Sequence, residues 1–207
     1  MRRTAQIVST LLVAFLVALA AGPAGAAEAK APHTASGVPP IYVMRGGLNI
    51  FSTGMDVLAK ELTAKGYPAI SDGFEDWHSQ MAKVVAAYKA HPYPIVIIGH
   101  SYGAETALLM AYKLRDENVP VALLVFFDLT SSGKVPANVA HVLNFRSSSA
   151  TGIDVTVTGG AHFHGTITNV TRADLNHLNI DKAEDLHEQT IKEIATLMGA
   201  PAKTAKE

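Results

Sequence analysis

The sequence predicts an α/β fold, a three-layer αβα sandwich built on a mostly parallel sheet. Short, continuously apolar segments, which are typical of strands covered on both faces, alternate along the chain with segments whose apolar residues recur at helical spacing. Such alternation favours parallel strand pairing through right-handed crossovers. The chain has 207 residues, of which 48% are hydrophobic, and this is enough for one core.

The first 26 residues have the pattern of a cleaved signal peptide. Arg2 and Arg3 precede an apolar stretch over residues 7–20, and residues 24–26 (Ala-Gly-Ala) supply the small side chains that a signal peptidase needs. The stretch is short for crossing about 30 Å of hydrocarbon, so cleavage is favoured over a retained membrane anchor. We therefore expect a bacterial protein that is periplasmic or secreted, with no stable membrane insertion after cleavage.

The composition excludes several classes of function. The sequence has no cysteine, which rules out a thiol nucleophile, disulfide bonds and cysteine-ligated metals. An exported protein without disulfides fits a bacterial periplasm better than a eukaryotic secretory route. The net charge is -1, or about -3 once Arg2 and Arg3 are removed, and no basic block is present. We therefore expect no nucleic-acid partner.

The first half of the domain is predicted to contain two strand–helix units. A strand at residues 41–44 precedes a helix whose apolar residues between 55 and 62 share one face. A second strand at residues 68–71 precedes a helix whose apolar residues recur from 77 to 88. Residues 27–40 are rich in Ala, Pro, Ser and Gly and lack periodicity, so we expect a flexible lead-in there.

The second half contains the strongest strand patterns. Residues 94–98 are continuously apolar and β-branched after a proline, and a helix is predicted at about 102–115. A second buried strand is predicted at 121–127, a weaker one at 141–145, and a further one at 154–158.

The last helix is predicted to begin at Asp181, with Glu184 three residues later completing a capping box. The domain is therefore expected to span residues 41–199, and residues 200–207 are expected to be a disordered tail.

A G-x-S-x-G pattern, Gly99-His100-Ser101-Tyr102-Gly103, lies between the clearest predicted strand and a helix. In such a nucleophile elbow the serine takes a strained backbone conformation, and glycine is needed on both sides because a side chain would collide with the neighbouring strand or helix. The turn lifts the hydroxyl beyond the sheet edge. The pattern predicts Ser101 as a nucleophile; the alternative is a glycine-flanked turn with an inert serine.

A serine nucleophile needs a histidine to take its proton and an acid to orient that histidine. Asp128 is the predicted acid because it ends the strand that follows the elbow and so lies at the same rim of the sheet. Its alternative role is that of a turn former, and Asp154 is the reserve candidate. His177 is the predicted base because its loop leads directly into the C-terminal helix.

His162 and His164 also follow Ser101 in the sequence and are the alternative candidates for the base. His162 and His164 flank Phe163 with alternating spacing, so they are predicted to lie on one face of a strand or hairpin. An H-x-H pair also occurs in zinc sites, but no third ligand lies at a convincing spacing, so we expect no metal and no other cofactor. His100 is expected to support or line the elbow. The remaining histidines are expected to be structural or at the surface: His78, His91, His141 and His187.

An oxyanion hole must complete the site, built from backbone amides that point at the developing negative charge. One amide is expected from Tyr102, directly after the nucleophile. The second is expected from Gly47 or Leu48, in the loop after the first strand, where glycines let the backbone approach a substrate.

The ordered set Met44-Arg45-Gly46-Gly47, Gly99-His100-Ser101-Tyr102-Gly103, Asp128 and His177 resembles the α/β-hydrolase superfamily, specifically its small bacterial lipase or thioesterase-like serine hydrolases. The resemblance extends from residue 41 to the C-terminal helix. It implies a compact α/β-hydrolase fold, an acyl-enzyme mechanism without a cofactor, and small acyl ester or thioester substrates. The chain departs from the lipase pattern in lacking an H-G-G-G run, and it has no insertion large enough for a cap.

These observations predict a serine hydrolase that cleaves carboxylic ester or thioester bonds. Two alternatives use the same fold. One is a catalytically inactive α/β-hydrolase-like binding module, and the other is an acyltransferase that passes the acyl group to an alcohol or amine.

Overall fold

The computed structural model describes residues 40–47, 51–75, 77–148 and 155–199. The strands in these ranges are β1 (Ile41–Met44), β2 (Ala69–Asp72), β3 (Val96–His100), β4 (Val121–Phe127), β5 (Lys134–Val135), β6 (Val139–Ser147), β7 (Thr158–Gly159) and β8 (Thr166–Arg172). The helices are α1 (Thr53–Ala64), α2 (Trp77–Ala90), α3 (Tyr102–Asp116) and α4 (Glu184–Met198), and a short 3₁₀ turn at Ile180–Lys182 precedes α4.

The central sheet has six strands in the order β2-β1-β3-β4-β6-β8, and each of its pairings is parallel. The chain runs outward from β1 to β2 and then crosses to β3 on the other side of β1. Loops that leave β1 and β3 therefore diverge at the carboxyl edge of the sheet, where ligands bind in open α/β sheets. Strands β5 and β7 form a separate parallel pair.

Apolar layers cover both faces of the sheet. Alternate residues of β4 point to opposite sides: Leu124 and Phe126 pack in the layer of α2 and α3, whereas Leu123, Val125 and Phe127 pack in the layer of α1 and α4. All five side chains are completely buried. The predicted three-layer αβα sandwich is therefore confirmed.

The predicted capping box at the last helix is wrong. Asp181 lies in the 3₁₀ turn, and α4 begins at Glu184 after Ala183, which makes no side-chain cap. Asp181 instead caps a different helix, because its Oδ2 accepts the N–H of Gly54 in the first turn of α1 at 3.0 Å. The buried carboxylate thus satisfies one of the amides that a helix N-terminus leaves without an intrahelical partner.

Two strand predictions need correction. His162 and His164 lie in the connection before β8 and not in a strand, and His162 has a positive φ of 60° in a turn. Within the predicted strand 154–158, only Thr158 belongs to β7, and Asp154 lies outside the described residues. None of the helices in the described ranges combines the length and hydrophobicity that crossing a membrane requires.

Candidate active site

Ser101 lies in the turn between β3 and α3, in a backbone conformation that only glycine adopts readily. Its φ is 57° and its ψ is -127°. The two flanking glycines make this turn possible. A Cβ on Gly99 would lie 2.2 Å from the carbonyl oxygen of Gly103, and a Cβ on Gly103 would lie 2.2 Å from that of Met44. The Ser101 N–H donates to the carbonyl of Phe127 at 3.0 Å, which fixes the turn at the carboxyl edge of the sheet.

His177 lies in the turn that follows β8, and its imidazole faces the Ser101 hydroxyl. Nε2 of His177 is 2.9 Å from Oγ of Ser101. Two asparagines hold this turn. Asn179 Oδ1 accepts the N–H of Asn176 at 2.7 Å, and Asn176 Oδ1 accepts the N–H of Leu178 at 2.9 Å. These side-chain bonds to the backbone on either side of residue 177 fix the position from which the imidazole projects.

Asp128 follows β4, and its side chain is completely buried. Its Oδ1 accepts the N–H of Ser147 at 2.5 Å, and its Oδ2 accepts the Oγ–H of Ser147 at 2.6 Å. Oδ2 also lies 3.2 Å from Nδ1 of His177. All of these partners donate to Asp128, as an acceptor-only carboxylate requires. The proton of the neutral imidazole is therefore on Nδ1, and Nε2 is free to accept from Ser101.

The three side chains differ in their access to solvent. Asp128 is 0% exposed, Ser101 is 7% exposed as a residue, and the His177 side chain is 22% exposed. A reactant therefore approaches on the side of the hydroxyl and the imidazole, while the carboxylate stays shielded behind them. The arrangement is suited to moving a proton from a serine hydroxyl and back again.

Backbone amides approach Ser101 from two directions. Tyr102 begins α3, so its amide is one of those without an intrahelical partner. The loop after β1 passes close to Ser101, because a Cβ on Gly46 would lie 2.9 Å from Cβ of Ser101. A Cβ on Gly47 would lie 3.0 Å from the ring of Tyr102. Leu48, the other predicted donor, lies outside the described residues.

A buried chain of hydrogen bonds behind the site joins the two loops that flank Ser101. The N–H of Gly46 donates to Oγ of Ser52 at 2.9 Å, and Oγ of Ser52 is 2.7 Å from Nδ1 of His100. Nε2 of His100 is 2.9 Å from the carbonyl oxygen of His177. Burial lowers the pKa of the His100 imidazole.

Sequence reasoning missed two residues of the site and the partners of a third. It assigned no role to Ser52 or Ser147, and it expected His100 to support the elbow without naming its contacts. A usable signal exists for Ser147, which is a small polar residue at the end of an apolar strand, at the same rim as Asp128. The sequence around Ser52 carries no comparable pattern, since its partner His100 lies 48 residues away.

Three exposed apolar side chains lie next to candidate site residues in the sequence. Tyr102 is 58% exposed, Leu178 61% and Phe51 52%, and each is the neighbour in sequence of a residue in the site. The ring of Tyr102 also lies 6.1 Å from that of Phe74, centroid to centroid. Exposed apolar side chains at such positions favour an apolar substrate group, such as an acyl chain.

The histidine pair His162 and His164 lies away from this edge. Both precede β8, whose first residue Thr166 pairs with His141 near the start of β6, so the pair lies at the amino edge of the parallel sheet. Ser101 follows the carboxyl end of β3, at the opposite edge. Among the residues that the structure describes, there is no group of three or more histidine, aspartate or glutamate side chains that could hold a metal ion.

The chain is similar to known proteins in part of its sequence and in its structure. Residues 40–128 match the family model of lipases of class 3, a segment that runs from β1 through the elbow to Asp128. Among solved structures, the chain is similar to the NocB thioesterase domain in covalent complex with a fluorophosphonate nocardicin G analogue. That similarity has 14% sequence identity and a TM-score of 0.47, and covers 79% of this chain and 96% of that chain. No curated protein sequence matches.

The family match and the observed fold together confirm the resemblance to the α/β-hydrolase superfamily. The family match also supports an ester-hydrolase-like function.

Proposed function

We propose that this α/β-hydrolase-type protein is a serine hydrolase that cleaves carboxylic ester or thioester bonds through an acyl-enzyme intermediate. Ser101 is the nucleophile, His177 the general base and Asp128 the residue that orients the base. One observation carries the proposal: hydrogen bonds run without interruption from Ser101 Oγ to His177 at 2.9 Å and from His177 to Asp128 at 3.2 Å. This is the geometry that makes a serine hydroxyl reactive at neutral pH.

In the acylation step, Oγ of Ser101 attacks the substrate carbonyl carbon while Nε2 of His177 takes the hydroxyl proton. The carbonyl π electrons move to the oxygen and form a tetrahedral oxyanion. As that intermediate collapses, the bond to the leaving oxygen or sulfur breaks, and the imidazolium returns its proton to the leaving group. The acyl group then remains on Ser101, and His177 is neutral again.

The oxyanion is held by the amide of Tyr102 together with that of Gly47 or Leu48. The amide of Gly46 does not serve this role, because it already donates to Ser52. A single amide donor of an oxyanion hole typically contributes about 10²- to 10³-fold to the rate.

In the deacylation step, His177 takes a proton from water, whose oxygen attacks the acyl carbon. The new tetrahedral intermediate collapses with transfer of that proton to Oγ of Ser101, which releases the carboxylic acid. The exposed side of His177 gives water the access that this step needs.

Active-site labelling tests the proposal. A fluorophosphonate probe should label purified protein at Ser101, and both labelling and turnover of p-nitrophenyl acyl esters and acyl thioesters should disappear in Ser101→Ala. Wild-type protein that stays unlabelled would support the inactive binding module. Product analysis with a competing alcohol separates hydrolysis from acyl transfer, because a transferase would form mainly the new ester.

The N-terminal pattern gives the proposal a location. We expect cleavage after residue 26 and release of the mature domain, residues 27–207, beyond the cytoplasmic membrane. Expression in a bacterial host, fractionation and N-terminal sequencing test this directly. A protein that retains residues 1–26 and stays in the cytoplasmic fraction would contradict it.

A further inference from the structure

The buried chain behind the site has one consistent arrangement of donors and acceptors. The carbonyl oxygen of His177 only accepts, so Nε2 of His100 carries a proton and donates to it. The neutral ring then accepts at Nδ1 from the hydroxyl of Ser52. Oγ of Ser52 in turn accepts the N–H of Gly46. Every hydrogen bond therefore runs in one direction, from Gly46 to the His177 carbonyl.

This arrangement requires His100 to be neutral. A protonated ring would also donate from Nδ1, and Oγ of Ser52 would then face two N–H donors, from His100 and from Gly46. Ser52 and His100 are 1% and 2% exposed, so water does not replace the missing acceptor for the Ser52 hydrogen. Burial lowers the pKa of His100, which favours the same neutral state.

These hydrogen bonds join segments that are distant in sequence. Ser52 and His100 are 48 residues apart, and His100 and His177 are 77 residues apart. At one end of this hydrogen-bonded series, the bond to Ser52 fixes the backbone at Gly46, one residue before the proposed oxyanion donor Gly47. The other end fixes the carbonyl of the residue whose imidazole is the proposed base. His100 itself is bonded covalently to Ser101.

From this connectivity we infer that Ser52 and His100 are positioning residues that hold the oxyanion loop and the His177 turn at fixed places relative to Ser101. The inference rests on the proposed function and adds to it a reason why two loops from different parts of the chain meet in a productive geometry. Neither residue touches the reacting atoms. Their effect comes through the backbone of Gly46 and of His177, so it should appear in the transition state rather than in substrate binding.

Two substitutions break this series of hydrogen bonds at different places. Ser52→Ala removes the group that holds Gly46. His100→Asn keeps an acceptor for Ser52 near the position of Nδ1 but removes the donor to the His177 carbonyl. Each should lower kcat by about 10- to 100-fold, as expected for a small misplacement of reacting groups, and leave KM within about threefold. The affinity for a trifluoromethyl ketone, which forms a tetrahedral oxyanion adduct with the serine, should fall by the same factor as kcat.

Matched controls separate positioning from a general loss of stability. Thr190→Val also deletes a buried hydroxyl, which donates to the carbonyl oxygen of Leu186 in the same helix. His187→Gln alters a second buried histidine, whose Nε2 donates to the carbonyl oxygen of Asp181 and whose Nδ1 lies 3.0 Å from Oε2 of Glu61. Both controls should lower the midpoint of thermal unfolding without changing kcat or the ketone affinity by more than about twofold.

The double variant Ser52→Ala/His100→Asn gives the decisive result. The double variant releases both loops, so its loss in kcat should be larger than that of either single variant and no larger than the product of the two losses. Single variants with wild-type kcat and ketone affinity, or a double variant no less active than the more impaired single variant, would overturn the inference. If one single variant fails to fold, the kcat and ketone affinity of the other variant test the inference. Fluorophosphonate labelling of Ser101 in the wild-type protein tests the proposed function by itself. An unlabelled wild-type protein would therefore contradict the proposed function, whatever the variants show.

Discussion

Replacing Asp128 with asparagine should invert the protonation of the His177 ring while leaving the fold in place. The N–H of Ser147 lies 2.5 Å from Oδ1, so the amide oxygen of the asparagine must take that position. Its NH₂ group then occupies the place of Oδ2 and faces Oγ of Ser147 and Nδ1 of His177. The NH₂ group donates to Nδ1, and the ring proton moves to Nε2. His177 then donates to Ser101 where it should accept.

The size of the effect follows from this hydrogen-bond pattern. Asp128 accepts three hydrogen bonds, and the asparagine makes three in the same positions, two of them reversed in direction. The free energy of unfolding should therefore change by no more than about 1 kcal/mol. The wrong tautomer, in contrast, should lower kcat by about 10⁴-fold, which corresponds to about 5.5 kcal/mol in the activation barrier.

The assay compares kcat for a p-nitrophenyl ester with the midpoint of thermal unfolding. Asp181→Asn is the matched control, because Asp181 is also completely buried at 0% exposure but its Oδ2 accepts from the N–H of Gly54. This control should keep kcat within about threefold of wild type while changing stability by a similar amount. A folded Asp128→Asn protein that retains more than a tenth of wild-type kcat would refute the assigned tautomer and with it the role of Asp128.

Three further predictions concern the elbow and the buried histidine. Ser101→Gly should abolish turnover but raise the free energy of unfolding by about 1 kcal/mol, because it relieves the strain of a non-glycine residue at φ 57°; unchanged or lower stability in urea unfolding would contradict this. Gly103→Ala should destabilise the fold by about 3 kcal/mol or prevent folding, because its Cβ would lie 2.2 Å from the carbonyl oxygen of Met44; a soluble variant with wild-type thermal stability would refute it. Burial lowers the pKa of His100 from its ordinary value of 6.5. As the pH falls, the His100 imidazole is therefore protonated in the unfolded chain before it is protonated in the folded protein. The contribution of neutral His100 to the free energy of unfolding is complete above pH 6.5. Below that pH it decreases by at most about 1.4 kcal/mol per pH unit. Urea unfolding at pH 7 and pH 5 should therefore show a larger loss of stability in wild type than in His100→Asn. Equal losses in the two proteins would contradict this role of His100.

The central sheet could be predicted because strands covered on both faces leave a clear pattern in the sequence. The strand predicted at residues 121–127 coincides with β4, all but one of whose residues are buried. The edge strand β8 has a weaker pattern, because Thr and Asn alternate with only two aliphatic residues and most of its residues are exposed. The predicted capping box failed because Asp181 has a partner in α1, and local sequence carries no information on that contact.

The candidate triad could be predicted because chain order and strand ends restrict where each member lies. Ser101 and Asp128 each follow a strand, and the structure brings both together with His177. Their catalytic roles stay a prediction. Ser52 could not be assigned a role, because a hydrogen bond between side chains from separate elements depends on how those elements pack. The donor directions at His100 likewise follow only from the positions of its neighbours.

The contact between Asp181 and Gly54 bears on the order in which the molecule assembles. The two residues are separated by 127 positions, so the start of α1 obtains its partner only after most of the polypeptide has emerged from the ribosome. Ser52, which holds the backbone of Gly46, immediately precedes that helix. A nascent chain that ends before residue 177 lacks the proposed base, and one that ends before residue 181 lacks the carboxylate that caps α1 beside Ser52. The proposed hydrolysis should therefore begin only once synthesis has passed residue 181.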